Sequence, residues 1–355
     1  MRSVLAYTGS VEGSAAIAWL RECRGVDVVT VTVDVGQGRE LEAIRDRALA
    51  LGAHRAHVLD ARDQFAQDFV VPSLRADVLH AGRVPLARAL SRPLIASKLV
   101  EIARIERTDH VAHTGLTSSD ESRLDRLIRA LAPDLHVTAV ARERTLNGAP
   151  SDSVLRNTHI SQTSPRSECE WGTDESEAGD VNLWGRSFTV RAKRTSPIVP
   201  RPVDTCPTEP AIVDITFVEG VPTALNGVAM PLVELIGSLG TLASTHGVGL
   251  VQSESLVCDA PAALVLHAAH RDLTHAAVTP EVEQFSAAVR AAYVDVIERA
   301  QWFSPLRDAL DGYLAAAQTP VSGRVRMRFF TGAASTVTTE LQQSSTRERV
   351  GHAAL

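Results

Sequence analysis

Val26 to Val35 (VDVVTVTVDV) is a run of apolar and β-branched positions broken mainly by threonine and aspartate, and Gly36-Gln37-Gly38 ends it. A run with so little polar face predicts a buried parallel strand. The period then changes. From Glu40 to Leu51 the apolar residues Leu41, Ile44, Ala48 and Leu51 keep helical spacing, and Gly52 follows where a helix-ending glycine belongs. Before this pair, Val4 to Ala6 is a short apolar run and Ala15 to Leu20 is periodic. After it, Ala56 to Leu59 reads as a strand, Asp60 and Asp63 flank a helix start, and Phe65 to Val71 is helical. Pro93 to Arg104 predicts an amphipathic helix on Leu94, Ile95, Leu99 and Ile102, and His110–Ala112 and Val137–Val140 predict two more strands. Strands alternating with helices imply an α/β, doubly wound parallel sheet, with ligands at the carboxyl ends of its strands. The turns after Ala6, Asp34 and His113 lie at such ends.

The pattern breaks from Arg142 to Pro210, where polar residues and prolines predict long loops. A second unit follows. Ala211–Phe217 alternates as a half-buried strand, Glu219-Gly220-Val221-Pro222 turns, and Ala224–Gly227 reads as strand and turn. Helices are predicted over Pro231–His246, Pro261–Leu273, Glu281–Ala300 and Pro305–Ala317, and a strand over Arg324–Phe330. Without strict alternation this is an α+β domain. The expected division is 1–145 for the parallel-sheet domain, 146–330 for the α+β domain, and 331–355 for a short polar tail.

Composition narrows the class. The chain of 355 residues is long enough for two domains, and 45% hydrophobic with 22% charged residues is ordinary for a soluble protein. A net charge of −6 argues against nucleic acid as a partner. Cys23, Cys169, Cys206 and Cys258 are scattered, so neither a disulfide framework nor a metal site is expected. No signal-peptide pattern and no apolar stretch of membrane-spanning length is visible, so the expected location is cytoplasmic, with no membrane partner.

Candidate chemistry gathers first at Thr8 to Ser14 (TGSVEGS), between the first strand and the first helix. Unpaired amides at a helix N-terminus, the helix dipole, Gly9 and Gly13, and the hydroxyls of Thr8, Ser10 and Ser14 together suit a phosphate. AYTGSVEGS (6–14) resembles AYSGGLDTS, the pyrophosphate-binding (PP-loop) sequence of argininosuccinate synthases. Further segments resemble that family in family order: VTVDVGQGRELEAIRDRALALGA (30–53), ALSRPLIASKLVEIAR (89–104), RALAP (129–133), NLWGRS (182–187), EGVPTALNG (219–227), HGVG (246–249), APAALVLHAAHRDL (260–273) and WFSPLRDAL (302–310). The likeness runs from Val4 to about Phe330, so the resemblance implies a PP-loop nucleotide-binding domain followed by a synthetase domain.

The reaction implied is an ATP-dependent ligation in the arginine-biosynthesis family. The ureido oxygen of citrulline attacks the α-phosphate of Mg-ATP, pyrophosphate leaves, and the aspartate amine then displaces AMP. By the resemblance, Ala6, Tyr7, Thr8, Gly9, Ser10, Glu12, Gly13, Ser14, Val33, His113 and Gly115 would contact the nucleotide, with Mg²⁺ arriving on ATP. Thr117, Ser119, Asp120 and Arg123 would bind the amino-acid substrate, and Val84, Arg88, Ala89, Ser167, Ser187, Glu254 and Cys258 the acceptor. No catalytic side chain and no protein metal ligand is implied.

The chain departs from the family pattern where it matters. Ser10 replaces a glycine and Glu12 an aspartate. Leu116-Thr117-Ser118 stands in place of glycine-lysine-glycine, and Ser119 in place of an asparagine. Val84 and Cys258 replace tyrosines, and Arg88 and Ala89 replace small hydroxyl residues. An insertion precedes Asn182, a deletion follows Gly249, and the family's C-terminal tail is largely missing. The expected activity is therefore an AMP-forming C–N ligase using aspartate or a related amino acid, with an acceptor other than citrulline. A catalytically silent binding protein and an ordinary argininosuccinate synthase stay open. A homo-oligomer is expected, a dimer before the family's tetramer. Three further groups have bland and functional readings: His267 with His270 as core residues or a shared ligand site, Asp34 as a strand-end carboxylate or a ribose or metal contact, and Arg83, Arg88 and Arg92 as solvated arginines or the lining of an anionic pocket.

Overall fold

A computed structural model describes residues 1–38, 41–115, 118–146, 180–189, 206–253 and 256–342. Its first part runs β1 (Arg2–Ala6), α1 (Val11–Arg24), β2 (Asp27–Asp34), α2 (Leu41–Ala50), β3 (Arg55–Asp60), and α3 (Arg62–Phe65) continued by a π-helical turn into α4 (Val71–Arg75). The short hairpin β4 (Leu79–His80) and β5 (Val84–Pro85) leads into α5 (Ala87–Ile105), β6 (His110–His113), α6 (Ser118–Leu131), β7 (His136–Ala139) and α7 (Val140–Leu146). The five main strands form one sheet in the order β3-β2-β1-β6-β7, every neighbouring pair parallel. The order reverses direction between β1 and β6, and such a switch point opens a crevice at the carboxyl edge.

Burial explains the pattern read from β2. Val28 faces a cluster with Leu5, Ile17, Trp19, Leu20 and Ile44 on the α1 and α2 side. Val29, Val31 and Val33 face the opposite side, in a core that runs on through α5 and α6 into the second unit. The two threonines of the strand are buried with partners: Thr32 Oγ1 donates to Tyr7 O at 2.9 Å, and Thr30 Oγ1 to Arg55 O at 3.5 Å.

The helix read as Pro93–Arg104 begins earlier, at Ala87, and passes through Pro93. Proline at an interior position loses one backbone bond. Here the helix continues past it, with Leu90, Leu94 and Leu99 fully buried on its core side.

The second part contains β8 (Asp180–Asn182), β9 (Gly185–Thr189), β10 (Ala211–Val218), β11 (Val221–Leu225), β12 (Val228–Ala229) and α8 (Leu232–Thr245). It continues with β13 (Leu250–Ser253), β14 (Leu256–Asp259), α9 (Pro261–Ala277), α10 (Pro280–Glu298), α11 (Pro305–Ala317), β15 (Gly323–Phe330) and β16 (Ala333–Leu341). Two antiparallel sheets result, β13-β14-β9-β8 and β12-β11-β10-β15-β16, with α9 packed on the second. The segment from 331, expected as a polar tail, is corrected by β16, which pairs along the whole of β15. Its Ala, Ser and Thr residues carry no apolar alternation, but an edge strand needs only one buried face, and Arg324 pairs with Glu340 across it.

Candidate active site

The Thr8–Ser14 loop lies at the switch point, between the carboxyl end of β1 and the first turn of α1. Gly9 adopts φ +76°, a conformation glycine enters without strain. Among the described residues no acceptor takes the backbone amides of Gly9, Ser10, Val11 or Glu12. Four successive free donors at the start of a 14-residue helix form a concavity suited to an anion. Ser10 does not crowd it. The residue takes an extended conformation open to any side chain, φ −69° and ψ 162°, and its Oγ turns back to cap Gly13 N at 3.0 Å. Gly13 is bare for a different reason from the one expected: a Cβ there would stand 3.0 Å from the Tyr7 ring. Tyr7 is buried and its hydroxyl pairs with Ser14 Oγ at 3.0 Å. Burial pushes the phenol upward from its ordinary pKa, so Tyr7 is a neutral partner to Ser14. Glu12 is exposed in the first helical turn.

Two neighbours fix this loop. From α2, Arg47 Nη1 donates to Gly9 O at 3.0 Å, and Ile44 packs so closely that a Cβ on Gly9 would meet it at 3.0 Å. From β2, Val33 O is taken by Gln37 Nε2 at 2.9 Å. Asp34 behaves as a strand-end carboxylate, accepting from Gly36 N at 2.9 Å and facing Arg62 at 3.5 Å. Gly36, at φ +90°, then meets β8–β9: Leu183 N donates to Val35 O at 2.7 Å.

On the far side of the switch point His113 is fully buried, with Nε2 donating to Asp125 Oδ1 at 2.9 Å. Its Nδ1 has no hydrogen-bond partner among the described residues. Burial alone would raise the Asp125 carboxyl, but hydrogen bonds from His113 and Arg142 hold it below its ordinary value. Gly115 has no room for a side chain, since a Cβ would stand 2.7 Å from Glu121 N. Arg123 sends Nε to Glu298 O at 3.2 Å, at the end of α10. Thr117 and the side chains of Ser119 and Asp120 lie outside the described residues, as do Ser167 and Glu254.

The described acceptor candidates do converge. Cys258 and Ser187 face each other in the β9–β14 register, with Ser187 Oγ 3.9 Å from Cys258 Sγ. The same sulfur lies 3.9 Å from Pro85 O, beside Val84. Asn182 Nδ2 donates to Ala87 O at 2.7 Å, which ties β8 to the first turn of α5, where Arg88 and Ala89 stand. Val84, Ala89, Ser187 and Cys258 are buried, and Arg88 is half-buried. Burial pushes the Cys258 thiol up to about 12, so this wall is uncharged at its sulfur. Arg92 lies one turn beyond Arg88 and is buried, whereas Arg83 is exposed on the hairpin.

His267 and His270 take separate protein partners. His267 Nδ1 pairs with the buried Asp77 at 3.0 Å, and His270 Nε2 donates to Gln318 Oε1 at 2.8 Å. Among the described residues no group of three His, Cys, Asp or Glu side chains is placed to hold a metal. Sequence reasoning missed Arg47, Asp125, Asn182 and Pro85. Arg47 had one signal, its i+3 spacing from Ile44 on the helix that follows the loop's partner strand.

Comparison with known proteins shows the family. Residues 2–152 match the family described as "Arginosuccinate synthase N-terminal HUP domain", and residues 198–348 match "Arginosuccinate synthase C-terminal domain". An argininosuccinate synthase of Rubrobacter xylanophilus is 36% identical over 351 residues, covering 94% of this chain and 84% of the relative. Those of Bacillus licheniformis and Acaryochloris marina are 36% and 37% identical over 93% and 94% of this chain, and 84% and 87% of their own length. A chain with the loop, the switch point and both family domains at this identity belongs to the argininosuccinate synthase family of ATP-dependent ligases.

Proposed function

We propose that the chain is an AMP- and pyrophosphate-forming C–N ligase that joins an amino acid, aspartate in the family's reaction, to an adenylated C=O acceptor other than citrulline. The acceptor oxygen bonds the α-phosphorus of Mg-ATP as the bond to pyrophosphate breaks. The amine nitrogen then bonds the activated carbon, loses a proton, and AMP leaves. In this reading the amides of Gly9 to Glu12 and the α1 dipole hold the departing charge, acting where charge develops. Ser10, one of the departures that leave a silent protein open, turns its Oγ back to accept from Gly13 N, which supports a working loop.

What supports the acceptor reading is the set Val84, Ala89 and Cys258, three buried residues standing where the family pattern has hydroxyl side chains. A substrate rich in hydrogen-bonding groups loses about 1–3 kcal/mol for each group buried there without a partner. An ordinary argininosuccinate synthase is the second reading, favoured by identity to the relatives over nearly the whole chain. Pyrophosphate release with ATP, aspartate and citrulline, measured beside the Bacillus licheniformis relative, separates the two. The proposal expects citrulline turnover at least tenfold below the relative, rising in Val84→Tyr. Citrulline turnover equal to the relative's would overturn it.

A further inference from the structure

Arg47 ties the second helix to the loop after the first strand. Its guanidinium reaches across from α2 and spends one nitrogen on Gly9 O, at 3.0 Å. A trans peptide points its N–H opposite to its C=O. Holding the Gly9 carbonyl against α2 therefore turns the Ser10 amide the other way, out of the helix-side contact and into the cradle. Arg47 has no carboxylate within ion-pair reach among the described residues, unlike Arg45, which pairs with Asp46, or Arg62, which pairs with Asp60. The Gly9 carbonyl is thus the partner that the Arg47 guanidinium takes among the described residues.

We infer that Arg47 is a loop-positioning residue: from the second helix it holds the Gly9 carbonyl and so sets the Gly9–Ser10 peptide with its amide turned to the pyrophosphate portion of ATP. Its charge also bears on the Tyr7–Ser14 pair, since Arg47 draws the Tyr7 hydroxyl downward against the larger effect of burial. The side chain is half-buried, so water screens its field less than that of a surface arginine.

The inference rests on the ligase reading, and the test keeps the two apart. Calorimetric titration of the full chain, its Arg47→Ala variant and its Arg47→Lys variant would use three probes, Mg-ATP, magnesium pyrophosphate and AMP. Arg47→Ala is expected to weaken ATP and pyrophosphate at least tenfold while AMP changes less than twofold. Arg47→Lys, which keeps a point charge and loses the fork, is expected to recover part of the loss. A variant that has lost its fold would weaken all three probes alike, and urea unfolding of each variant identifies that case. Arg47→Ala binding ATP and pyrophosphate as the unaltered chain does would overturn this inference alone. A loss equal for AMP and pyrophosphate in a folded variant would also overturn it. An unaltered chain that binds neither ATP nor pyrophosphate would overturn the ligase reading with it.

Discussion

Gly36→Ala should break the joint between the carboxyl edge of the parallel sheet and the β8–β9 turn. The residue sits at φ +90°, where a side chain costs about 1–2 kcal/mol of backbone strain. The new Cβ would also stand 2.9 Å from Leu183 N and Cβ and 3.0 Å from its Cα. These are mainly backbone atoms that cannot swing away, so the β8–β9 turn must retreat, at an overpacking cost of about 1–3 kcal/mol. The Leu183 N to Val35 O bond, 2.7 Å, would lengthen and forfeit about 1 kcal/mol more. The sum is about 3–6 kcal/mol. Gly38→Ala is the matched control: its φ is +64°, but nothing lies within 4 Å of the new Cβ, so only strain of about 1–2 kcal/mol applies. Urea unfolding of both variants should separate them by at least 2 kcal/mol. Because Leu183 leads to Asn182 and Ser187, Gly36→Ala should also raise the acceptor KM while leaving ATP affinity within about threefold. Equal destabilisation of the two variants would refute the reasoning, because the contact with Leu183 would then count for nothing.

Asn182→Ala strands Trp184 N, now satisfied at 2.9 Å, and removes the 2.7 Å bond to Ala87 O at the start of α5; a loss of about 2–4 kcal/mol is expected by denaturation, and less than 1 would contradict the tie. Burial holds the His270 imidazole down to about 4 from 6.5, so the folded state keeps it neutral. The unfolded chain binds that proton first, and stability should fall as pH drops from 6.5 towards 4, by about 3 kcal/mol in all. His270→Gln should flatten that part of the pH–stability curve. With its thiol near 12, Cys258 should resist iodoacetamide in the native protein at pH 8, while exposed Cys23 is alkylated, as read by mass spectrometry.

The parallel sheet was legible because its central strands β1, β2 and β6 are buried on both faces while α2 buries only one, so the period of the apolar residues changes between them. The run at β2 and the helix spacing of α2 carry that signal plainly. β16 was not legible, since its exposed edge position lets Ala, Ser and Thr stand where a central strand would need Val or Ile. Pro93 misplaced the start of α5, because a proline reads as a first-turn residue and only the burial of Leu90 shows otherwise. The loop at Thr8 was readable from its glycines and hydroxyls, but the side-chain direction of Ser10 was not. Serine in place of glycine suggested an obstruction, and the cap to Gly13 removes it. Residues that act across sequence distance left no local trace. Arg47 reaches Gly9 from another helix, and Pro85, Ser187 and Cys258 meet only once three separate elements are folded together.

The central claim is that the free amides from Gly9 to Glu12 hold a nucleotide, and Val11→Pro tests it most directly. Val11 is the first residue of α1, the position where proline is accepted, and the extended backbone of Ser10 suits a following proline. The substitution deletes one donor from the cradle and leaves the helix intact. Calorimetric titration with Mg-ATP should show binding by the unaltered chain. In Val11→Pro, affinity should fall about tenfold or more, for the loss of one hydrogen bond to a charged group, while urea stability is kept or raised. Unchanged ATP affinity in Val11→Pro, or no binding by the unaltered chain, would contradict the account.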